Sequence, residues 1–154
     1  MAPRVLSKLD GSVMAAAATV ELNPEPLNPS WILDGKPIAR SKVVARSRDW
    51  LSSVVVWDCT AGSFRWHYVQ DEAIVVISGE AFMLRDDGTE QRLGEGDYAF
   101  FPAGSTASWR VDNYIRKVAL LREPMWRPLG FALKVGNKLL RNMGLGAASP
   151  LSSS

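Results

Sequence analysis

The one histidine of this sequence and its best-placed carboxylate, Glu72, both fall between Gly62 and Gly79, in GSFRWHYVQDEAIVVISG. Glu72 stands where the polar turn Gln70–Asp71–Glu72 gives way to the apolar run Ala73–Ile77. A carboxylate at the start of a buried strand, facing an aromatic mouth, has the desolvated setting that suits a general acid or base. The competing reading makes Glu72 a turn residue, or the partner of an arginine such as Arg65 or Arg116. His67, the one histidine of the chain, lies between Trp66 and Tyr68. If the strand alternates, Phe64, Trp66 and Tyr68 share one face, and Arg65 and His67 the other. With the aromatics turned inward, His67 is a surface or interface histidine, and a lone histidine cannot build a multi-histidine metal centre within one subunit. Cys59, the only cysteine, has no activating base near it in VWDCT and is expected to be buried and inert.

Aromatic residues recur at strand spacing around these positions. Trp66, Tyr68, Phe82, Tyr98, Phe100 and Trp109 are expected to supply an aromatic interior. Such residues are either plain core or the lining of a cavity, where they would favour a flat or partly apolar ligand held through Tyr hydroxyl and Trp N–H groups. Arg116 and Lys117 follow Tyr114–Ile115; one of them would neutralise a ligand carboxylate, or simply bridge strands.

The elements that must position these groups read as β from residue 38 to 122. Ile38–Ala45 is β-branched and partly alternating. Val54–Trp57 is a continuous apolar run, the pattern of a strand covered on both faces or of an inner sheet. Further strands are expected at Phe64–Tyr68, Ala73–Ile77, Glu80–Arg85, Gln91–Leu93, Tyr98–Phe101, Ala107–Val111 and Ile115–Leu121. Asp86–Asp87–Gly88 is a hairpin signal, and Pro102–Ala103–Gly104 a turn. Short strands at near-regular spacing, with Gly or Pro at the junctions and no intervening helix, argue for an antiparallel sandwich or barrel. Upstream, PEPLNPS (Pro24–Ser30) reads as an extended or turning linker, and Trp31–Ile32–Leu33 as an anchor on the core, followed by a turn at Asp34–Gly35. From Pro124 the pattern changes to an amphipathic helix starting near Pro128 and stopping at Gly144. Arg127, Lys134, Lys138 and Arg141 form its basic stripe, opposite Leu129, Ala132, Val135, Leu139, Leu140 and Met143. That helix has three readings: packing on the barrel or on a second subunit, lying on an anionic membrane, or remaining unfolded. Ala147–Ser154 is expected to fray.

The whole chain sets the frame. Its 154 residues, 47% hydrophobic with six Trp, allow one domain with extensions and a real core. A net charge of +2 is too small to argue for a nucleic-acid partner. The run Val13–Val20 is too short and too weakly apolar to span a bilayer and makes a poor signal peptide. With a single cysteine there is no disulfide framework, so a reducing, cytoplasmic location is expected.

The middle of the chain resembles the cupin superfamily. The resemblance rests on Glu72, six residues and Gly79, and on Gly96, five residues, Pro102, one residue and Gly104. The wording of WDCTAGSFRWHYVQDE, SGE, GDYAFFPAG and RKVAL, with WILDGKP upstream, is similar to the ureidoglycine-aminohydrolase-like cupins. It covers roughly residues 31–122. It implies an all-β fold, a small antiparallel double-stranded β-helix (jelly-roll barrel), with residues 1–30 as N-terminal arm and 123–154 as C-terminal helix and tail. Metal-binding cupins present two His and a Glu from the first motif and a His from the second. The residues near the four ligand positions of the aminohydrolase subgroup are Trp66, Tyr68, Glu72 and Ala107, of which only Glu72 is a strong ligand.

The expectation is therefore a homodimeric cupin that binds a small organic molecule in its barrel. Glu72 is the candidate catalytic residue, and Trp66, Tyr68, Tyr98, Phe100, Trp109 and Lys117 are the candidate ligand-binding residues. No metal ligands and no cofactor are assigned, a divalent ion such as manganese being the disfavoured alternative, and neither nucleic acid nor membrane is expected as a partner. The alternative function is a metal-dependent, ureidoglycine aminohydrolase-like hydrolase of nitrogen metabolism.

Overall fold

The computed structural model describes residues 5–6, 12–85, 87–125 and 127–143. The chain divides into two units, Met1–Glu123 and Pro124–Ser154. In the first, a short pair β1 (Val5–Leu6) and β2 (Met14–Ala15) precedes a sheet of nine strands. These are β3 (Asn23–Pro24), β4 (Ile32–Gly35), β5 (Ala39–Arg46), β6 (Ser52–His67), β7 (Asp71–Gly79), β8 (Ala81–Leu84), β9 (Glu90–Leu93), β10 (Tyr98–Phe101) and β11 (Thr106–Arg122). Every pairing is antiparallel. In the second unit one helix, α1, runs Arg127–Asn142.

The long strands β6 and β11 organise the barrel. They pair from Thr106↔His67 to Arg122↔Ser52, with an irregularity between Val111 and Tyr114. On one side of that break they are flanked by β5 and β7, giving the order β10-β7-β11-β6-β5-β3. On the other side they are flanked by β4 and by the β8–β9 hairpin. Each long strand thus bends from one half of the nine-stranded sheet into the other, which closes the two halves as layers over one core. The sequence pattern splits each of them into two strands, because the corner residues Gly62 and Asp112–Asn113 read as breaks. The backbone bends there and continues. Gly62 has φ 156° and packs against the Pro37 ring, 2.6 Å from where a Cβ would sit.

Side-chain parity follows from this corner. Val55, Trp57 and Cys59 face the core before it, and Phe64, Trp66 and Tyr68 after it. On β11 the inward residues include Trp109, Val111, Ile115 and Ala119. The run Val54–Trp57 is apolar throughout because both faces are covered: Val56 on the outer face is 1% exposed. That outer cover includes Val13, Ala15 and Ala17 of the N-terminal arm, which share a small apolar cavity with Val44, Val54, Val56 and Val118. Ile32–Gly35 is a strand where the sequence suggests a turn at Asp34–Gly35, because Ile32 and Gly35 pair with Phe64 and Gly62 of β6; the expected anchoring stands, with Trp31 on Trp66 at a centroid distance of 5.5 Å and Ile32 against the core.

The hairpin turn at Asp87–Gly88 is as the sequence indicates, with Asp87 Oδ1 accepting from the Thr89 N–H at 2.8 Å. Helix α1 begins one residue before Pro128. Asp86, the stop at Gly144 and the tail 147–154 lie outside the described residues. No helix among the described residues is long and apolar enough to cross a membrane.

Candidate functional site

A cavity of about 260 Å³ opens among β5, β6, β7 and β11. Val55, Trp57, Trp66, Ala119 and Leu121 give it apolar walls, Ser41, Ser53 and Gln70 add neutral polar groups, and Glu25, Arg46, Glu72 and Lys117 carry charge. Glu72 reaches it because β7 alternates, turning Glu72, Ile74 and Val76 inward. Lys117 reaches it because β11 pairs it with Trp57 of β6 and Val76 of β7, beside a register shift at Arg116/Lys117.

Glu72 and Lys117 form a buried ion pair. Lys117 Nζ donates to Glu72 Oε1 at 2.5 Å, with the side chains 5% and 7% exposed for Lys117 and Glu72. The partner of Glu72 is therefore the lysine, neither Arg65 nor Arg116. Three indole rings surround the ammonium, their centroids 4.9 Å (Trp57), 5.8 Å (Trp66) and 5.0 Å (Trp109) from Nζ. Ring faces attract a cation, so this cage supports the ammonium where water is excluded.

Behind the cage lies an aromatic wall. Trp109 Nε1 donates to the Tyr68 hydroxyl at 3.0 Å. Tyr68 stacks on Phe101 with centroids 4.4 Å apart, and Phe64 stacks near-parallel on Trp109. Burial, followed by the negative charge of Glu72, pushes the Tyr68 phenol far up, while the bond from Trp109 works in the opposite direction. Tyr68 is thus held as a neutral phenol.

The expected site residues divide. Glu72, Trp66 and Lys117 line the cavity, and Tyr68 and Trp109 back it. Tyr98 and Phe100 do not belong to it: they are 81% and 60% exposed on the outer face of β10. In YAFF (Tyr98–Phe101) every position is apolar, so the sequence leaves the phase of alternation open. Pairing of Phe101 with Glu72 and Ala99 with Ile74 turns Ala99 and Phe101 inward and leaves Tyr98 and Phe100 outside. Phe82 also departs from the aromatic interior; it lies under the Arg110 guanidinium, 4.2 Å from its ring centroid. Trp57 and Phe101 were missed. They are set by the registers that seat Phe101 opposite Glu72 and Trp57 opposite Lys117, which no local pattern in the sequence carries.

Arg116 serves the opposite face. It donates to the carbonyl oxygens of Ala17 (2.9 Å) and Val20 (2.6 Å), and lies 3.4 Å from Asp58. Asp58, 1% exposed, also accepts from Arg40 and from the Tyr114 hydroxyl at 2.8 Å. This network ties the arm to the barrel. His67 is exposed, 3.1 Å from Thr106 Oγ1 and beside Trp31. Cys59 is fully buried, and its thiol is pushed up to about 12, mainly by burial and then by the charge of Asp58.

The residues do not fit a divalent-metal centre. Of Trp66, Tyr68, Glu72 and Ala107, Glu72 alone is a strong ligand, and an ammonium is bonded to it. Among the described residues no three His, Cys, Asp or Glu side chains converge.

Two sheet layers closed by shared long strands, with a cavity at the mouth and the Gly79 and Gly96–Pro102–Gly104 corners, define a cupin barrel. A family model described as the EutQ-like cupin domain matches residues 46–119. Solved structures agree on the fold. A protein of unknown function from Pseudomonas syringae pv. tomato superposes with a TM-score of 0.63 at 22% identity, over 71% of this chain and 48% of that one. The present chain thus spans about half the length of that relative. The EutQ protein of Clostridium difficile gives 0.59 at 20% identity, over 77% and 93%. A putative ethanolamine utilization protein Q from Salmonella typhimurium gives 0.61 at 15% identity, over 79% and 94%. No curated protein matches.

Proposed function

We propose that this cupin domain binds a small organic molecule in the mouth of its barrel, at the Glu72–Lys117 pair, without a complete metal site. The cavity of about 260 Å³ carries the reading, because it joins indole walls to that pair in one recess. A pocket with apolar walls and a few convergent polar groups is the usual form of a small-molecule site. Trp57 and Trp66 favour a flat or partly apolar body. In this reading Glu72 exchanges a proton with the ligand, and any catalysis is metal-independent or weakly metal-assisted. The test is a fragment screen read by thermal unfolding and tryptophan fluorescence. Ligands whose stabilisation disappears in Trp66→Ala support the reading; a screen without any such ligand overturns it.

A metal-dependent, ureidoglycine aminohydrolase-like activity ranks second. In its favour stands Glu72, kept at a ligand position of that subgroup; against it stand Trp66, Tyr68 and Ala107. Turnover of ureidoglycine with added manganese would reverse the order. We further propose a cytoplasmic homodimer. Edge strand β10 carries exposed Tyr98 and Phe100, next to exposed Val75 and Leu120, and an apolar edge of this kind calls for a cover.

A further inference from the structure

Lysine is almost never this deeply buried without a reason in its surroundings. The ammonium of Lys117 carries three N–H donors, and one is used by Glu72 Oε1. The rest of its shell is made of the faces of Trp57, Trp66 and Trp109. Those faces attract the charge but do not replace directional acceptors. Directly across the β6–β11 pair, Trp57 Nε1 is buried and has no hydrogen-bond partner. Nearly every buried donor in a folded protein has one. Trp57, Glu72 and Lys117 line the same cavity. The Lys117 ammonium and the Trp57 N–H thus bring to this wall donor capacity that Glu72 Oε1 does not use up.

We infer that Lys117 is a built-in cation for an acidic ligand: its ammonium, with the Trp57 N–H, receives the carboxylate of a small organic acid. The flat or apolar body of that acid lies along Trp66. This inference rests on the mouth being the binding site and adds the chemical class of the ligand. The tetrahedral ammonium separates the two carboxylates, holding Glu72 in one direction and the ligand in another. Arg46 adds a second positive charge to the lining, and Glu25 a negative one. The same arrangement explains the poor fit to a divalent ion, which would have to displace a positive charge already bonded to Glu72.

Sodium benzoate titrated into the full chain tests this, with tryptophan fluorescence and thermal unfolding read together. Benzamide, of nearly the same shape and uncharged, is the control. Benzoate is expected to give a saturable shift, and benzamide to bind about tenfold more weakly or worse, since charge-assisted hydrogen bonds outweigh neutral ones. Lys117→Met should abolish the response to benzoate. Because that change strands Glu72 and endangers the fold, Trp57→Phe is the second variant; it keeps a ring, removes the N–H and should weaken benzoate several-fold. Equal binding of benzamide, or benzoate binding indifferent to both variants, overturns the inference. Stoichiometric Mn²⁺ binding that is lost in Glu72→Gln overturns it as well. If uncharged fragments bind in a Trp66-dependent way and benzoate does not, the acid preference falls while the binding site stands. If neither kind binds, the site reading falls with it.

Discussion

Breaking the Glu72–Lys117 pair should destabilise the barrel unequally from its two sides. Both side chains are nearly inaccessible and 2.5 Å apart, so each single replacement leaves a desolvated charge behind. Removing one partner of a buried pair typically costs about 3–5 kcal/mol. Lys117→Met leaves the Glu72 carboxylate among indole faces whose negative quadrupole repels it, so this variant belongs at the upper end. Glu72→Gln leaves the ammonium with three rings and an amide oxygen, and each cation–π contact retains about 0.5–2 kcal/mol. Its cost should be the lower of the two. The double variant Glu72→Gln/Lys117→Met removes both charges and should recover most of the loss, as replacing a whole buried pair is often nearly neutral. At about 2–4 °C per kcal/mol for a chain of this size, the single variants should lower Tm by about 6–20 °C. Urea unfolding of the four proteins completes the cycle. Single costs below about 1 kcal/mol, the range of exposed pairs, or a double variant no better than the worse single one, would refute a buried pair.

Stability should fall in alkali through Cys59 and Tyr68. Both have folded-state pKa values raised above their ordinary ones, so the unfolded chain loses these protons first. Stability is then complete below about pH 9 and declines as pH rises towards 12, by about 1.4 kcal/mol per pH unit for each proton. Cys59→Val, of similar volume, should flatten the part of that slope that begins near pH 9 in unfolding curves. Gly79→Ala should cost about 2–4 kcal/mol or prevent folding, because φ is 74° and a Cβ would lie 2.1 Å from the Tyr114 carbonyl oxygen. Gly88→Ala, at φ 81° in open space, should cost only about 1–2 kcal/mol. Arg116→Met should free the arm without opening the barrel, seen as faster proteolytic cleavage within residues 12–20 at a nearly unchanged near-UV signal. Tyr98→Ser with Phe100→Ser should turn the proposed dimer into monomer by light scattering.

The fold was legible because its signals are local. Gly79, Gly96, Pro102 and Gly104 announce corners by residue type, Asp87–Gly88 announces a hairpin, and the uninterrupted Val54–Trp57 announces a strand covered on both faces. What remained hidden was set by pairing. Nothing local in YAFF decides whether Tyr98 and Phe100 or Ala99 and Phe101 face inward; the register of β10 on β7 decides it. The corner of β6 shifts the inward set from odd to even residues, so Trp57 and Trp66 meet around one ammonium although an unbroken alternation would separate them. The partner of Glu72 lies 45 residues away in the chain, at a distance where side-chain chemistry alone does not choose among Arg65, Arg116 and Lys117.

Arg116 and Lys117 show how one local device serves both structure and site. Consecutive residues of a strand face opposite sides, so an Arg–Lys pair on a central strand drives one cation outward and the other into the core. Outside, the fork of Arg116 has several donors in fixed directions, which suits it to clasping two carbonyl groups of the arm and Asp58 together. Inside, the compact ammonium of Lys117 fits a cage of three rings and one carboxylate, which a planar guanidinium would not fill in the same way. Exchanging the two residues would put a fork where a point charge is needed and a point charge where a fork is needed. The order Arg–Lys on β11 thus fixes both how the arm is held and which charge the mouth of the barrel presents.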